Sequence, residues 1–173
     1  GWALFGSTRA TVAFLTNHGT AYTIRIDELP STSGYGDPIQ KYFDFSDGEK
    51  IVGVISLDSR ILPDPLVEDG DREQDLFDQS NGQPESGEEV LPEFVCVSSA
   101  GYASRYSVEN VMDPSTKTGR RYARVEEGAA IVSAQICRGN EHVCLASRSG
   151  RVLIFPVDQI SSYKGAAKGV KAI

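Results

Sequence analysis

The chain has 173 residues, with 17 Lys and Arg against 24 Asp and Glu for a formal charge of −7, 40% hydrophobic residues, 17 Gly, 8 Pro and 3 Cys. That composition can bury a core and is too apolar for a wholly disordered chain. No run of eighteen apolar residues exists, which excludes a membrane-spanning helix, and the start at Gly1, Trp2 and Ala3 lacks the basic and long apolar regions of a secretory signal.

In chain order, residues 2–6 are expected to hold the place before a first hairpin that residues 51–55 hold before a second. The first clear element turns on Gly19. The segment Val12-Ala-Phe-Leu-Thr-Asn-His-Gly19 runs apolar, then small and polar, then glycine. Beyond the glycine, Ile24, Ile26 and Leu29 are apolar at +5, +7 and +10, and Asp27 is acidic at +8. A glycine supplies the positive φ of a tight turn, and alternation supplies a strand with one buried face. Gly36-Asp-Pro-Ile39 reads as the opening of another short strand. Asp47-Gly-Glu-Lys-Ile-Val-Gly-Val-Ile55 reads as a turn and a buried strand.

The acidic charge then concentrates. Residues 61–90 hold ten acidic side chains against the single base Arg72, a net −9 that leaves +2 for the other 143 residues. Proline and glycine punctuate the stretch and its few apolar residues keep no period, so a disordered surface insertion over 61–92 is expected. Its charge makes the whole-chain sign a poor guide to partners.

Past the insertion the first pattern returns twice. Phe94-Val-Cys-Val-Ser-Ser-Ala-Gly101 and Val143-Cys-Leu-Ala-Ser-Arg-Ser-Gly150 repeat the approach to the turn. Tyr106 and Phe155 stand at +5, Val108 and Val157 at +7, Glu109 and Asp158 at +8, Val111 and Ile160 at +10. Gly119-Arg-Arg-Tyr122 matches the short strand after Gly36, and Glu127-Gly-Ala-Ala-Ile-Val-Ser-Ala-Gln135 matches the turn and buried strand at 47–55. No helix of conventional length is predicted, only short helical turns near 108–112 and 157–160. The pattern predicts an all-β array of about three four-stranded units, 1–60, 93–140 and a third, truncated unit at 141–173. Three such units leave lateral faces to cover, so further units, a partner or an atypical closure is expected.

The ordered series resembles the C-terminal β-pinwheel of the A subunit of bacterial type IIA topoisomerases, DNA gyrase and topoisomerase IV. The resemblance rests on Phe14-Leu-Thr-Asn-His-Gly-Thr-Ala-Tyr22, Asp27-Glu-Leu-Pro30, Gly48-Glu-Lys-Ile-Val-Gly-Val54, Ser99-Ala-Gly-Tyr102, Gly119-Arg-Arg-Tyr-Ala-Arg124, Ser147-Arg-Ser-Gly-Arg-Val152 and Lys168-Gly-Val170. It covers both ends of the chain but not the insertion. It implies a non-catalytic domain that binds and bends double-stranded DNA beside the rest of the A subunit and the B subunit, in the cytoplasm at the nucleoid. Carried over by motif position, Arg120, Arg121, Arg124, Arg148, Arg151, Lys164 and Lys168 are implied to meet DNA. The first unit departs from the family pattern, with Thr20 and Gly36-Asp37 where bases are usual. Gyrase also carries a glycine-rich basic box, to which Tyr163-Lys-Gly-Ala-Ala-Lys-Gly169 is the nearest stretch, with fewer bases. Either that box lies outside this chain or the protein stands closer to topoisomerase IV.

Lysines and arginines along a bent perimeter would neutralise phosphates without reading bases. The competing reading is a propeller-like protein-interaction scaffold with incidental surface arginines. Cys137, His142 and Cys144 have a C-x4-H-x-C spacing, but zinc needs a fourth ligand, and Cys96 and Cys144 alternate into strands, so core packing rather than a metal is expected. His18 has no Ser or Asp constellation, so no catalytic residue and no cofactor is predicted. Tyr22, Phe43, Tyr106 and Tyr122 are expected in the packing between strands rather than on a base-stacking surface.

Overall fold

The computed structural model describes residues 1–31, 34–64 and 91–173. Most of the acidic insertion, residues 65–90, lies outside the described residues. The described chain is all-β, with three hairpins built to one register. They are β1 (Thr11–Thr16) with β2 (Thr20–Arg25), β4 (Glu93–Ser98) with β5 (Tyr102–Ser107), and β8 (His142–Ala146) with β9 (Val152–Pro156). The remaining strands are β3 (Ile51–Ser56), β6 (Arg120–Arg121), β7 (Ile131–Cys137) and β10 (Val170–Lys171). In every hairpin the residue eight before the turn glycine faces the residue six after it: Thr11 faces Arg25, Glu93 faces Ser107, His142 faces Pro156.

The turns are built alike. Gly19, Gly101 and Gly150 have φ of 78°, 79° and 80°, a left-handed conformation that side chains other than glycine's resist. Their N–H groups donate to the carbonyls of Thr16, Ser98 and Ser147 at 3.0, 2.9 and 3.0 Å. The hydroxyls of those same residues accept from the N–H of Thr20, Tyr102 and Arg151 at 3.3, 3.2 and 3.0 Å. A hydroxyl three residues before the glycine therefore closes each turn from its own side chain. After the second strand, the +7 residue opens a 3-10 turn in all three cases, at Ile26–Glu28, Val108–Val111 and Val157–Gln159.

The sheets are not made from contiguous units. Their orders are β3-β1-β2-β6, β10-β5-β4-β7 and β8-β9. The first two hairpins each take the long strand that follows, β3 or β7, on one edge, and a two-residue strand from the unit beyond, β6 or β10, on the other, whereas β8 and β9 pair only with each other among the described residues. Two expectations fail for this reason. Residues 2–6 form no strand, and Trp2 and Phe5 stand exposed. Gly36-Asp-Pro-Ile39 leads into a 3-10 turn at Ile39–Lys41 instead of a strand, because the described residues hold no earlier hairpin for it to pair with. Gly119 does have one, and β6 pairs with β2.

The alternation of each strand sorts side chains into layers. Leu15, Ala21, Ile55, Phe94, Tyr106 and Tyr122 pack between the first two sheets. Val95, Ala103, Cys137, Val157 and Ile160 lie between the second sheet and the third hairpin, and Val12, Tyr22, Ile24 and Phe43 cover the other face of the first. Phe94, Tyr106 and Tyr122 meet with ring centroids 5.6–6.1 Å apart, as the sequence led one to expect of the aromatics. On the third hairpin Val152 and Ile154 point the other way and stay 66% and 62% exposed, and Val132 of β7 is 57% exposed.

One carboxylate ties the N-terminal segment to this frame. Asp58 accepts from the Ser7 N–H at 2.7 Å and from the Arg60 guanidinium at 2.6 and 3.0 Å. The Arg60 hydrogen bonds, with that of Ser7, hold its pKa well below the carboxylate range. A depressed folded-state pKa gives stability that is present above the unfolded value near 4 and is lost as pH falls toward the folded one. Asp58→Asn is therefore expected to lower the melting temperature at pH 7 and to flatten its fall below about pH 4. An acid limb unchanged from that of the unaltered chain would refute this role.

Candidate nucleic-acid interface

The strand exchange sets where the bases stand. β3 and β7 pack on each other, with an ideal Cβ on Gly53 falling 2.4 Å from the Ala134 carbonyl oxygen. The edge strands β6 and β10 lie on the far side of their sheets. Each pairs beside the turn glycine of the preceding hairpin: Arg121 faces Thr20 and Arg120 faces Ala21, while Lys171 faces Tyr102 and Val170 faces Ala103. Approach this close requires glycine ahead of each edge strand. An ideal Cβ on Gly119 would lie 2.9 Å from the Ala21 oxygen, and one on Gly169 would lie 2.2 Å from the Ala103 oxygen. In Tyr163-Lys-Gly-Ala-Ala-Lys-Gly169 the last glycine thus serves the crossing onto β5, while a Cβ on Gly165 would meet nothing within 4 Å, and Ala167 bridges to Ala123 along the way.

The seven bases expected to meet phosphate divide by what they touch. Arg121, Arg124, Arg148, Arg151 and Lys164 are exposed, and among the described residues their side chains make no hydrogen bond or ion pair. Arg120 donates to the Asn110 carbonyl at 2.9 Å. Lys168 is ion-paired to Glu126 and sits 3.9 Å from the centre of the Tyr102 ring. Its bond to Glu126, then its contact with Tyr102, raises its pKa above the ordinary lysine value. Arg120, Arg121, Arg148 and Arg151 all flank the turn ends of their sheets, and Arg124 donates its backbone N–H to Ala167 at 2.9 Å in the stacked connecting loops. Lys164 stands apart, beside the contact of Ser162 and Tyr163 with Arg105 in mid-strand.

Two bases at the turn ends were missed, Lys171 and Lys50, the latter exposed and bonded through its backbone to Asn17 beside the first turn at 2.9 and 2.7 Å. Lys171 occupies in the second sheet the position that Arg121 occupies in the first, and its ammonium donates to the Ala100 carbonyl at 2.7 Å. The signal was present in the sequence as a base two residues after a glycine, as Arg121 follows Gly119, but only the pairing reveals it.

The remaining polar candidates are dispersed. Cys96 is buried against Ser104, with burial pushing its thiol pKa up to about 11, and burial pushes that of Cys137 up to about 12. Cys144, against expectation, is exposed, because its face of the third hairpin is the uncovered one. His18 is exposed at the first turn.

The family model of the DNA gyrase C-terminal domain, β-propeller, matches residues 10–58, 92–138 and 141–173. The chain belongs to that family. Its three matched segments each contain one turn-glycine hairpin, and the gap between the first two is the acidic insertion. The DNA gyrase A subunit of Rickettsia bellii is 24% identical over 171 residues, 97% of this chain and 16% of that protein. The C-terminal domain of DNA topoisomerase IV superposes with a TM-score of 0.72 at 17% identity, covering 95% of this chain and 43% of that one. The E. coli ParC C-terminal domain superposes with a TM-score of 0.68 at 16% identity, covering 95% of this chain and 54% of that one. The all-β array expected from the repeats and the β-pinwheel implied by the resemblance are therefore shown, and the chain spans about a sixth of the gyrase A subunit it matches. Among the described residues no helix is long and apolar enough to cross a membrane.

Proposed function

We propose that this gyrase family domain is a non-catalytic module of a type II topoisomerase A subunit that binds and bends duplex DNA with little regard to sequence. It works beside the rest of the A subunit and the B subunit. The observation that carries the reading is that bases stand beside successive turn glycines, Arg120 and Arg121 beside Gly19 through the pairing of β6 with β2, and Arg148 and Arg151 in the loop around Gly150 itself. Bases recurring at one end of successive sheets suit a phosphate backbone that passes each in turn, and contacts of that kind position DNA without reading it. Arginine guanidiniums free of intramolecular carboxylates keep their full charge for phosphate.

Anisotropy with a duplex of about forty base pairs is expected to show affinity falling by on the order of 10²–10³ between about 50 and 200 mM salt, with little dependence on sequence. Absence of binding at the lower salt overturns the reading. The exposed Val152, Ile154 and Val132 favour the second reading, a protein-interaction scaffold. Capture of a protein partner with flat salt dependence would favour that alternative.

A further inference from the structure

Lys168 and Lys171 both lie against Tyr102, with ammonium groups 3.9 and 5.1 Å from the ring centre, yet they differ in what they bond. Lys168 meets the carboxylate of Glu126. Its charge is compensated within the chain. Lys171 meets a neutral carbonyl, that of Ala100, at 2.7 Å, so one of its three donors is used while its charge remains whole. Register separates them as well. Lys171 faces Tyr102, the residue after turn glycine Gly101, as Arg121 faces Thr20, the residue after Gly19. At the third turn the residue after the glycine is itself basic, Arg151. One site per turn, beside the glycine, thus carries a net positive charge in all three sheets.

Resting on the DNA-binding reading above, we infer that Lys171 is the phosphate contact of the second sheet, continuing the series Arg121, Lys171, Arg151, and that Lys168 is a positioning residue which, with Glu126, holds Tyr102 under the crossing strand. The physical difference is in counterions. An ammonium already neutralised by a carboxylate releases few cations from the duplex, whereas an uncompensated one displaces about one cation per phosphate met.

The test compares full-chain variants by anisotropy with the same duplex over a range of salt, with melting temperature measured on each. Lys171→Gln keeps a donor for the Ala100 carbonyl and removes the charge. It is expected to weaken binding about fivefold at low salt and to lower the slope of log affinity against log salt by about one, while Lys171→Arg keeps both. Removing the neutral pair together, Lys168→Ala with Glu126→Ala, is expected to leave affinity within about twofold and the slope unchanged while lowering the melting temperature. An unchanged affinity in Lys171→Gln overturns the inference, as does an equal loss and an equal drop in slope in the pair deletion. If the unaltered chain fails to bind duplex at low salt, the DNA reading falls first and this assignment with it, an outcome distinct from the other two.

Discussion

Gly19→Ala is expected to destabilise the domain by about 2–5 kcal/mol, while the same substitution at Gly150 costs only about 1–2 kcal/mol. Both glycines sit in the same turn with nearly the same φ, 78° and 80°, so the backbone strain of a Cβ is common to both. The surroundings differ. A Cβ on Gly19 would fall 2.4 Å from the Ala123 carbonyl oxygen, and the turn cannot retreat, because the Gly19 carbonyl accepts from the N–H groups of Tyr122 and Ala123 at 2.8 and 3.1 Å. Tyr122 in turn donates its hydroxyl to the Thr16 carbonyl at 3.0 Å, which clamps the loop from the core side. A Cβ on Gly150 meets nothing within 4 Å. Urea unfolding of the two variants separates the terms: a midpoint shift at Gly19 no larger than that at Gly150 would show that the close approach between units contributes nothing to stability.

The same contrast explains what could be read from the sequence. The hairpins were legible because their information is local: a period of two, a hydroxyl, a glycine, and an apolar residue at +7 that opens a 3-10 turn. Ile26, Val108 and Val157 each do so. The exchange of β6 and β10 onto the preceding sheets was not legible, because a two-residue strand has no period, and Gly36, Gly119 and Gly169 look alike in sequence whether or not a hairpin waits for them. Their φ values, 74°, 71° and 92°, are alike too. Only Gly119 and Gly169 have backbone close by, and only they are followed by a strand. Compensation of charge was equally hidden: Glu126 and Lys168 are 42 residues apart in sequence and meet because the loops at Ala123 and Ala167 stack in parallel. Motif position therefore found Lys168 and passed over Lys171.

Reversing two free arginines at the turn ends, Arg121→Glu with Arg151→Glu, is expected to weaken duplex binding by on the order of 100-fold at about 50 mM salt and to reduce the salt slope by about two. Neither side chain has a hydrogen bond or ion pair among the described residues, so the melting temperature should stay within about 2 °C, as for exposed substitutions generally. Added negative charge acts at a distance, and the double reversal alone does not separate a contact from a change in net charge. Arg9→Glu with Arg138→Glu supplies the matched control. Arg9 lies just before the start of β1, and Arg138 follows Cys137, whose partner Glu93 begins β4, so both stand at the opposite ends of their sheets from the turns. With the Debye length near 10 Å at 0.1 M salt, charges a strand length away are largely screened, and the control should lose no more than a fewfold in affinity. Equal losses from the two pairs would mean that duplex DNA responds to overall charge, and the series of bases beside the turn glycines would not be its binding site.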